Sequence, residues 1–249
     1  MKRQLMALIL AAALMPWPLF LTQGKWWAFV LAAVAIVMAL RLLLGPQWAN
    51  VAGLDLPPMH VLLVVLAFAG VATASRLLLP LVYESAGVKA IAPGIEEQVG
   101  FLFQALNEEI LFRALLIGLL IPLVRSVPLV SLGAACLFTG AHFLLYRFSN
   151  PMHVALSTAS LATLFFAGVA MNNLYLAFRH IGFSWALHAG WNVVWLPAAI
   201  FDAATNQRLN EPQVFERVLG SPLIVAPAGA MAILTFMLFR RSRLGPIKS

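Results

Sequence analysis

The sequence predicts an all-α fold, a polytopic membrane bundle of about eight transmembrane helices forming one domain over residues 1–249. Three observations carry that prediction. The chain is 62% hydrophobic and 10% charged, where a soluble domain carries about 25% charged residues. Apolar stretches of spanning length recur along it, separated by shorter polar or Pro/Gly-bearing connections. The alternation expected of barrel strands is absent, and in lipid a helix satisfies its backbone N–H and C=O groups within one segment. The net charge of +7 does not indicate nucleic acid, because the basic residues fall singly between apolar spans. It matches the Lys/Arg excess of cytoplasmic loops instead. The one cysteine, Cys136, lies inside an apolar run and excludes an internal disulfide.

The first element is the apolar run 5–21, which follows Met1-Lys2-Arg3 and looks like a signal peptide. At about 17 residues it exceeds the usual apolar region of about 7–15. It also contains Pro16 and Pro18 and lacks a small-x-small site near its end, so it is expected to stay as an uncleaved first span. Further spans are expected at 26–44, 59–82, 99–120, 128–146, 152–178, 183–201 and 222–239. Two connections are longer. Residues 45–58 hold Gly45-Pro46 and Pro57-Pro58, both loop signals. Residues 202–221 are polar, with Asn206, Gln207, Arg208, Asn210, Glu211, Glu216 and Arg217, and can carry a short surface helix. No internal repeat is visible, which argues against a transporter built from repeated halves.

Orientation follows from basic residues. With an even number of spans, Lys2, Arg3, Arg41, Arg125, Arg179, Arg240, Arg241, Arg243 and Lys248 share one side. Lys25, Lys89, Arg147, Arg208 and Arg217 share the other, together with six acids. The excess places both termini in the cytoplasm. Trp26, Trp27, Trp48 and Tyr146 near span ends suit interfacial anchoring.

The fourth span contains Glu108-Glu109-Ile110-Leu111-Phe112-Arg113. Charge at that depth costs roughly 2.5–3.5 kcal/mol per residue on insertion scales, so it needs a partner or a function. Residues four apart stack on one helix face, so Glu109 and Arg113 can pair. Glu108 lies about 100° round the helix and is left for another use. The fifth span carries His142 behind Gly140-Ala141, small residues expected to allow close helix approach. The seventh carries His188 and Asn192, four apart and therefore on one face. Each feature alone also suits a structural role, as an ion pair or an interhelical hydrogen bond. His60 and His180 fall at span ends, and His153 near a surface. Asn172 and Asn173 are expected at most to bond toward the polar centre, and Arg76 has no readable partner.

Together these spans bring one Glu, two His and one Asn into the membrane. A Glu beside a His can hold a water and take its proton. A second His with an Asn offers N–H donors to the oxyanion formed when water attacks a carbonyl. Glu with two His is equally a ligand set for a divalent metal with an open position. Amide hydrolysis without a Ser or Cys nucleophile and metal-assisted hydrolysis both remain open at this point.

The order Glu-Glu-x-x-x-Arg, then Phe-x-x-x-His, then His-x-x-x-Asn resembles the CPBP intramembrane proteases. These include the type II CAAX prenyl endopeptidases and bacterial abortive-infection-type membrane proteins. Glu108, Glu109 and Arg113 match the first motif, Phe138 and His142 the second, His188 and Asn192 the third. The resemblance covers the core region 98–192, while the first three spans and the tail are generic. It implies that Glu108 activates water with His142, that His188 and Asn192 hold the oxyanion, and that Glu109, Arg113 and Phe138 support the site. The family has been described both as metal-dependent and as a metal-free, glutamate-type peptidase. The metal-free view suits a His-Asn pair better, and the other would take Glu108, His142 and His188 as ligands of a divalent metal such as zinc. No organic cofactor and no nucleic acid are indicated.

The compact chain suggests a bacterial inner-membrane protein, in contact with the lipid bilayer. Its expected substrate is a membrane-associated protein or peptide, cut near the C-terminus. A non-proteolytic immunity or transport factor using the same polar cluster is the alternative. One difficulty is depth. With these boundaries His142 lies about 4 residues, and His188 about 13, from the same end of their spans, a gap of roughly 14 Å. The helices must tilt or end elsewhere for the motifs to meet.

Overall fold

In the computed structural model, residues 26–51, 53–124, 126–149, 156–195 and 199–244 are described. The expected first span, 5–21, and His153 lie outside them. The chain begins with α1 (Trp26–Leu44), a 3-10 turn (Gly45–Gln47) and a short α2 (Trp48–Val51). There follow α3 (Pro58–Ser85), β1 (Val88–Ile91) and α4 (Ile95–Glu109). A π-helix (Ile110–Ile117) continues α4 directly into α5 (Gly118–Val124). Then come α6 (Val127–Ser149), α7 (Thr158–Phe178), α8 (Gly182–Trp195), β2 (Ala199–Asp202), α9 (Glu211–Leu219) and α10 (Pro222–Leu244).

The fold is helical, and among the described residues four helices are long and apolar enough to cross a membrane. They are Pro58–Ser85, Val127–Leu144, Thr158–Phe178 and Pro222–Ser242. Four of the eight expected spans are not among them. The first lies outside the described residues, and the second contributes a shorter apolar helix, Val30–Leu42. The fourth is divided into α4, the π-helix and α5 and carries Glu108, Glu109 and Arg113, and the seventh is described only as α8, of 14 residues.

The helix ends follow local chemistry. Pro57 and Pro58 open α3, where a missing N–H costs nothing. Ser157 caps α7 by accepting from the Ser160 N–H, and Arg179 closes it in the left-handed region at φ 61°. The polar surface helix expected within 202–221 is α9, opened by a capping box between Asn210 and Gln213.

A two-stranded antiparallel ribbon departs from the all-α expectation. Val88 pairs with Asp202 and Ile91 with Ala199. Each strand has four residues, and the two lie on opposite sides of the motif region 98–192 in sequence, so no local hairpin signal announces them. Beyond β2 the chain turns back sharply. Asp202 Oδ1 accepts from Ala204 N (3.0 Å), Thr205 N (2.9 Å) and Thr205 Oγ1 (3.1 Å). Its Oδ2 accepts from Arg217 of α9 at 2.7 Å. The Thr205 backbone N–H first, then Arg217, hold the Asp202 carboxyl well below the usual carboxylate range.

The core centres on the π-helix, whose eight residues are all buried. The same buried core includes Leu79 and Val82 of α3, Phe138 of α6, Met171 and Tyr175 of α7 and Trp195 of α8. The outer faces stay apolar, as with Leu62, Leu66 and Leu77 of α3, which suits contact with lipid. Two glycines show how closely neighbouring helices approach. A Cβ on Gly190 of α8 would meet the Phe68 carbonyl oxygen at 2.9 Å and Val71 Cβ at 3.0 Å of α3. A Cβ on Gly168 of α7 would touch Ala135 and Phe138 of α6 at 3.4 Å. Gly140, expected to mark a close approach beside His142, has nothing within 4 Å; α6 meets its neighbour at Ala135 instead.

Thermal melts in detergent should separate these glycines. Gly190→Val forces α8 from α3 and is expected to cost about 1–3 kcal/mol, as overpacking does. Gly140→Ala should be neutral or raise stability by about 0.5–1 kcal/mol, because it removes only backbone entropy. The Asp202 turn should be acid-sensitive. A carboxyl whose folded pKa is depressed adds stability above the unfolded value of about 3.9, and that stability is lost as pH falls through the folded pKa. Wild type should therefore lose more melting temperature than Asp202→Asn on acidification below about pH 4. Parallel curves would show that the turn bonds contribute nothing.

Candidate active site

Glu108 and Glu109 are the last two residues of α4, and Arg113 lies in the π-helix that follows. The α-to-π transition therefore falls between the carboxylates and the cation. A π turn widens the helix and often marks a functional site. Glu109 Oε1 accepts from Arg113 at 2.9 Å, the pair expected from their spacing. Both side chains are 0% exposed. The same Oε1 accepts from His188 Nδ1 of α8 at 2.9 Å. The guanidinium lies over the Phe138 ring at 5.0 Å, so the motif phenylalanine covers the cation.

Glu108 points to the other side, toward two imidazoles. Its Oε2 is 3.7 Å from His188 Nε2 and 3.9 Å from His142 Nε2. Its Oε1 accepts from Gln104 at 3.3 Å, one turn earlier on α4. His142 Nδ1 lies 2.9 Å from the Phe138 carbonyl oxygen of its own helix. A carbonyl only accepts, so Nδ1 carries the proton there, and the same argument assigns the proton on His188 Nδ1 to the Glu109 bond. In their neutral forms both rings thus turn an Nε2 lone pair toward Glu108. Glu108 Oε2 is buried and accepts no hydrogen bond from a described residue. A donor placed beside Oε2 would satisfy that oxygen.

The depth difficulty disappears in the packed helices, where Glu108 Oε2 lies 3.9 Å from His142 Nε2 and 3.7 Å from His188 Nε2. Side-chain exposure rises from 0% at Glu109 to 7% at Glu108 and 13% at His142.

Glu108, Glu109, Arg113, Phe138, His142 and His188 are thus brought together. Asn192 lies one turn beyond His188, 6% exposed, with no side-chain hydrogen bond to a described residue. His60 and His180 sit apart from the site and bond each other at 3.0 Å. His180 Nδ1 takes the Gly182 N–H, so its Nε2 donates to His60. Burial, and then His60, hold His180 down to about 4. Arg76 stays exposed. Asn173 bonds Ala232 O and Thr235 Oγ1 of α10, away from the site. Two residues matter more than the sequence suggested. Gln104 reaches Glu108, and its spacing of four could have revealed it. Asn172 accepts from Arg113 Nε at 3.1 Å, which no local spacing announces.

The donor types around Glu108 suit a catalytic zinc, and each imidazole has its second nitrogen bonded to an acceptor, as zinc ligands do. The spacing suits it less. Bonds of about 2.0–2.1 Å set tetrahedral ligands roughly 3.3 Å apart, closer than the 3.7 and 3.9 Å found here. Among the described residues, no three His, Cys, Asp or Glu side chains are placed to hold a metal ion.

Arg113→Leu would leave Glu109 a buried carboxylate without its cation. Breaking one side of such a pair costs about 3–5 kcal/mol, so melts should fall steeply, and Glu109→Gln with Arg113→Leu together should recover part of the loss. No recovery in the double variant would mean that the pair is not coupled.

Residues 98–194 match the family model described as type II CAAX prenyl endopeptidase Rce1-like. No curated protein and no solved structure matches the chain. The matched segment holds every side chain of the site, from Gln104 to Asn192. Residues 98–194 thus carry the signature of the type II CAAX prenyl endopeptidase Rce1-like family, and the resemblance to the CPBP proteases drawn from the three motifs is borne out.

Proposed function

We propose that this chain is an intramembrane endopeptidase that cuts a membrane-associated protein or peptide near its C-terminus, with Glu108 as general base. The observation that carries the reading is the buried Glu108 Oε2, which accepts no hydrogen bond and faces two imidazole nitrogens at 3.7 and 3.9 Å. One water placed there donates to Glu108 and to one Nε2. Glu108 takes a proton from that water as its oxygen bonds to the scissile carbonyl carbon. The carbonyl π electrons move to oxygen and form the oxyanion. The C–N bond then breaks, and the proton passes from Glu108 to the leaving nitrogen. One water and one amide give a carboxylic acid and an amine.

His142 orients the water with Glu108. The Asn192 amide offers a neutral donor to the oxyanion. His188 spends its Nδ1 proton on Glu109, so it donates from Nε2 in its doubly protonated form, paired with that carboxylate. Glu109 and Arg113 hold His188 in place, and Phe138 covers Arg113. Should a divalent cation such as zinc bind, Glu108, His142 and His188 would hold it, and it would supply Lewis-acid polarisation of the carbonyl. The matching family acts on CAAX prenyl substrates by its description, so a prenylated CAAX peptide is the first to test. The Lys/Arg bias supports cytoplasmic termini.

Glu108→Gln keeps the shape and removes the base. Loss of general base catalysis typically costs about 10²–10⁴-fold, so cleavage in micelles should fall by at least that much while melts stay close to wild type. Comparing cellular peptides from cells carrying wild type and Glu108→Ala would reveal the substrate in the same experiment. Identical peptide pools would sink the peptidase reading and leave a binding or transport role. Activity that survives stringent chelation, in protein without metal by elemental analysis, is the expected outcome for the metal question.

A further inference from the structure

Asn172 lies in the middle of α7, 1% exposed, and belongs to none of the three motifs. Its Oδ1 accepts from Arg113 Nε at 3.1 Å. Its Nδ2 donates to the Ser131 carbonyl oxygen of α6 at 2.8 Å. The amide is therefore oriented by α6 and presents its oxygen to the guanidinium. Arg113 in turn reaches Glu109 Oε1 through NH1, and Glu109 Oε1 takes the His188 Nδ1 proton. A continuous path of bonds runs from the α6 backbone to the imidazole that faces Glu108.

Arg113 has no slack in this arrangement. Its NH2 is buried with no hydrogen-bond partner. Without Asn172, Nε would lose its partner as well, and a buried guanidinium turns to recover acceptors. One acceptor with spare capacity belongs to its own ion pair: Glu109 Oε2 accepts no hydrogen bond from a described residue. Such a turn would move the carboxylate relative to His188. The neighbouring Asn173 offers a contrast, because it ties α7 to α10 and touches nothing in the site.

We propose that Asn172 is a positioning residue: by holding Arg113 Nε it fixes Glu109 so that His188 keeps one ring orientation toward Glu108. The inference rests on the reading of His188 as part of the hydrolytic site, but its test does not require cleavage.

The full chain with isotope-labelled histidine, in detergent micelles, should give a hydrogen-bonded Nδ1–H resonance for His188, identified by its loss in His188→Gln. Asn172→Leu is expected to lose that resonance. Asn172→Asp keeps an acceptor for Arg113 but loses the donor to Ser131, so it should melt lower and keep the resonance. Asn173→Leu should also melt lower and keep it. A resonance retained in Asn172→Leu would overturn the proposal. So would its loss in Asn172→Asp, because Asn172 would then act only by tying α7 to α6. That second comparison stands even if Asn172→Leu does not fold. Absence of cleavage by wild type on every peptide would overturn the peptidase reading and leave the positioning result intact.

Discussion

The structure depends on one oxygen atom. Glu109 Oε1 accepts from Arg113 and from His188, both at 2.9 Å, within a buried and mostly apolar core. A charge so placed is expensive without a partner and is neutralised here by the cation four residues on. The arrangement also leaves Glu108 free of Arg113 NH1. Adjacent residues on one helix therefore meet different surroundings. Glu109 faces a cation and is 0% exposed, whereas Glu108 faces two imidazoles and is 7% exposed.

The tertiary frame is built to hold that pair in register with α6 and α8. Gly190 brings α8 against α3, and it lies between His188 and Asn192. Gly168 brings α7 against α6 beside Phe138. Both contacts are far tighter than those around Gly140, where small residues suggested one. Phe138 serves two ends at once. Its ring lies against Arg113, and its carbonyl receives the His142 Nδ1 proton. The motif Phe-x-x-x-His thus joins the cation's cover to the orientation of the imidazole.

The path of hydrogen bonds suggests how the site resists motion in a membrane. Several polar groups that orient another are themselves oriented. Ser131 holds Asn172, Asn172 holds Arg113, Arg113 and His188 share Glu109, and Gln104 holds Glu108. Preorganisation of this kind keeps reorganisation small when charge develops.

The sequence by itself determined the helical class, the Glu109–Arg113 pair and the separation of Glu108 from it, because these follow from apolar run length and helical spacing. Motif order identified the family segment for the same reason. Only the tertiary structure decided that His142 and His188 both reach Glu108, because that depends on how α6 and α8 pack against α4. The β1–β2 ribbon was likewise invisible, being a contact between residues far apart in the chain. A bond from Asn172 toward the polar centre was expected, but not that its partner would be Arg113. Local spacing specifies what shares a face of one helix. Which faces meet is set by how several helices pack, and the glycines that permit it resemble those that do not.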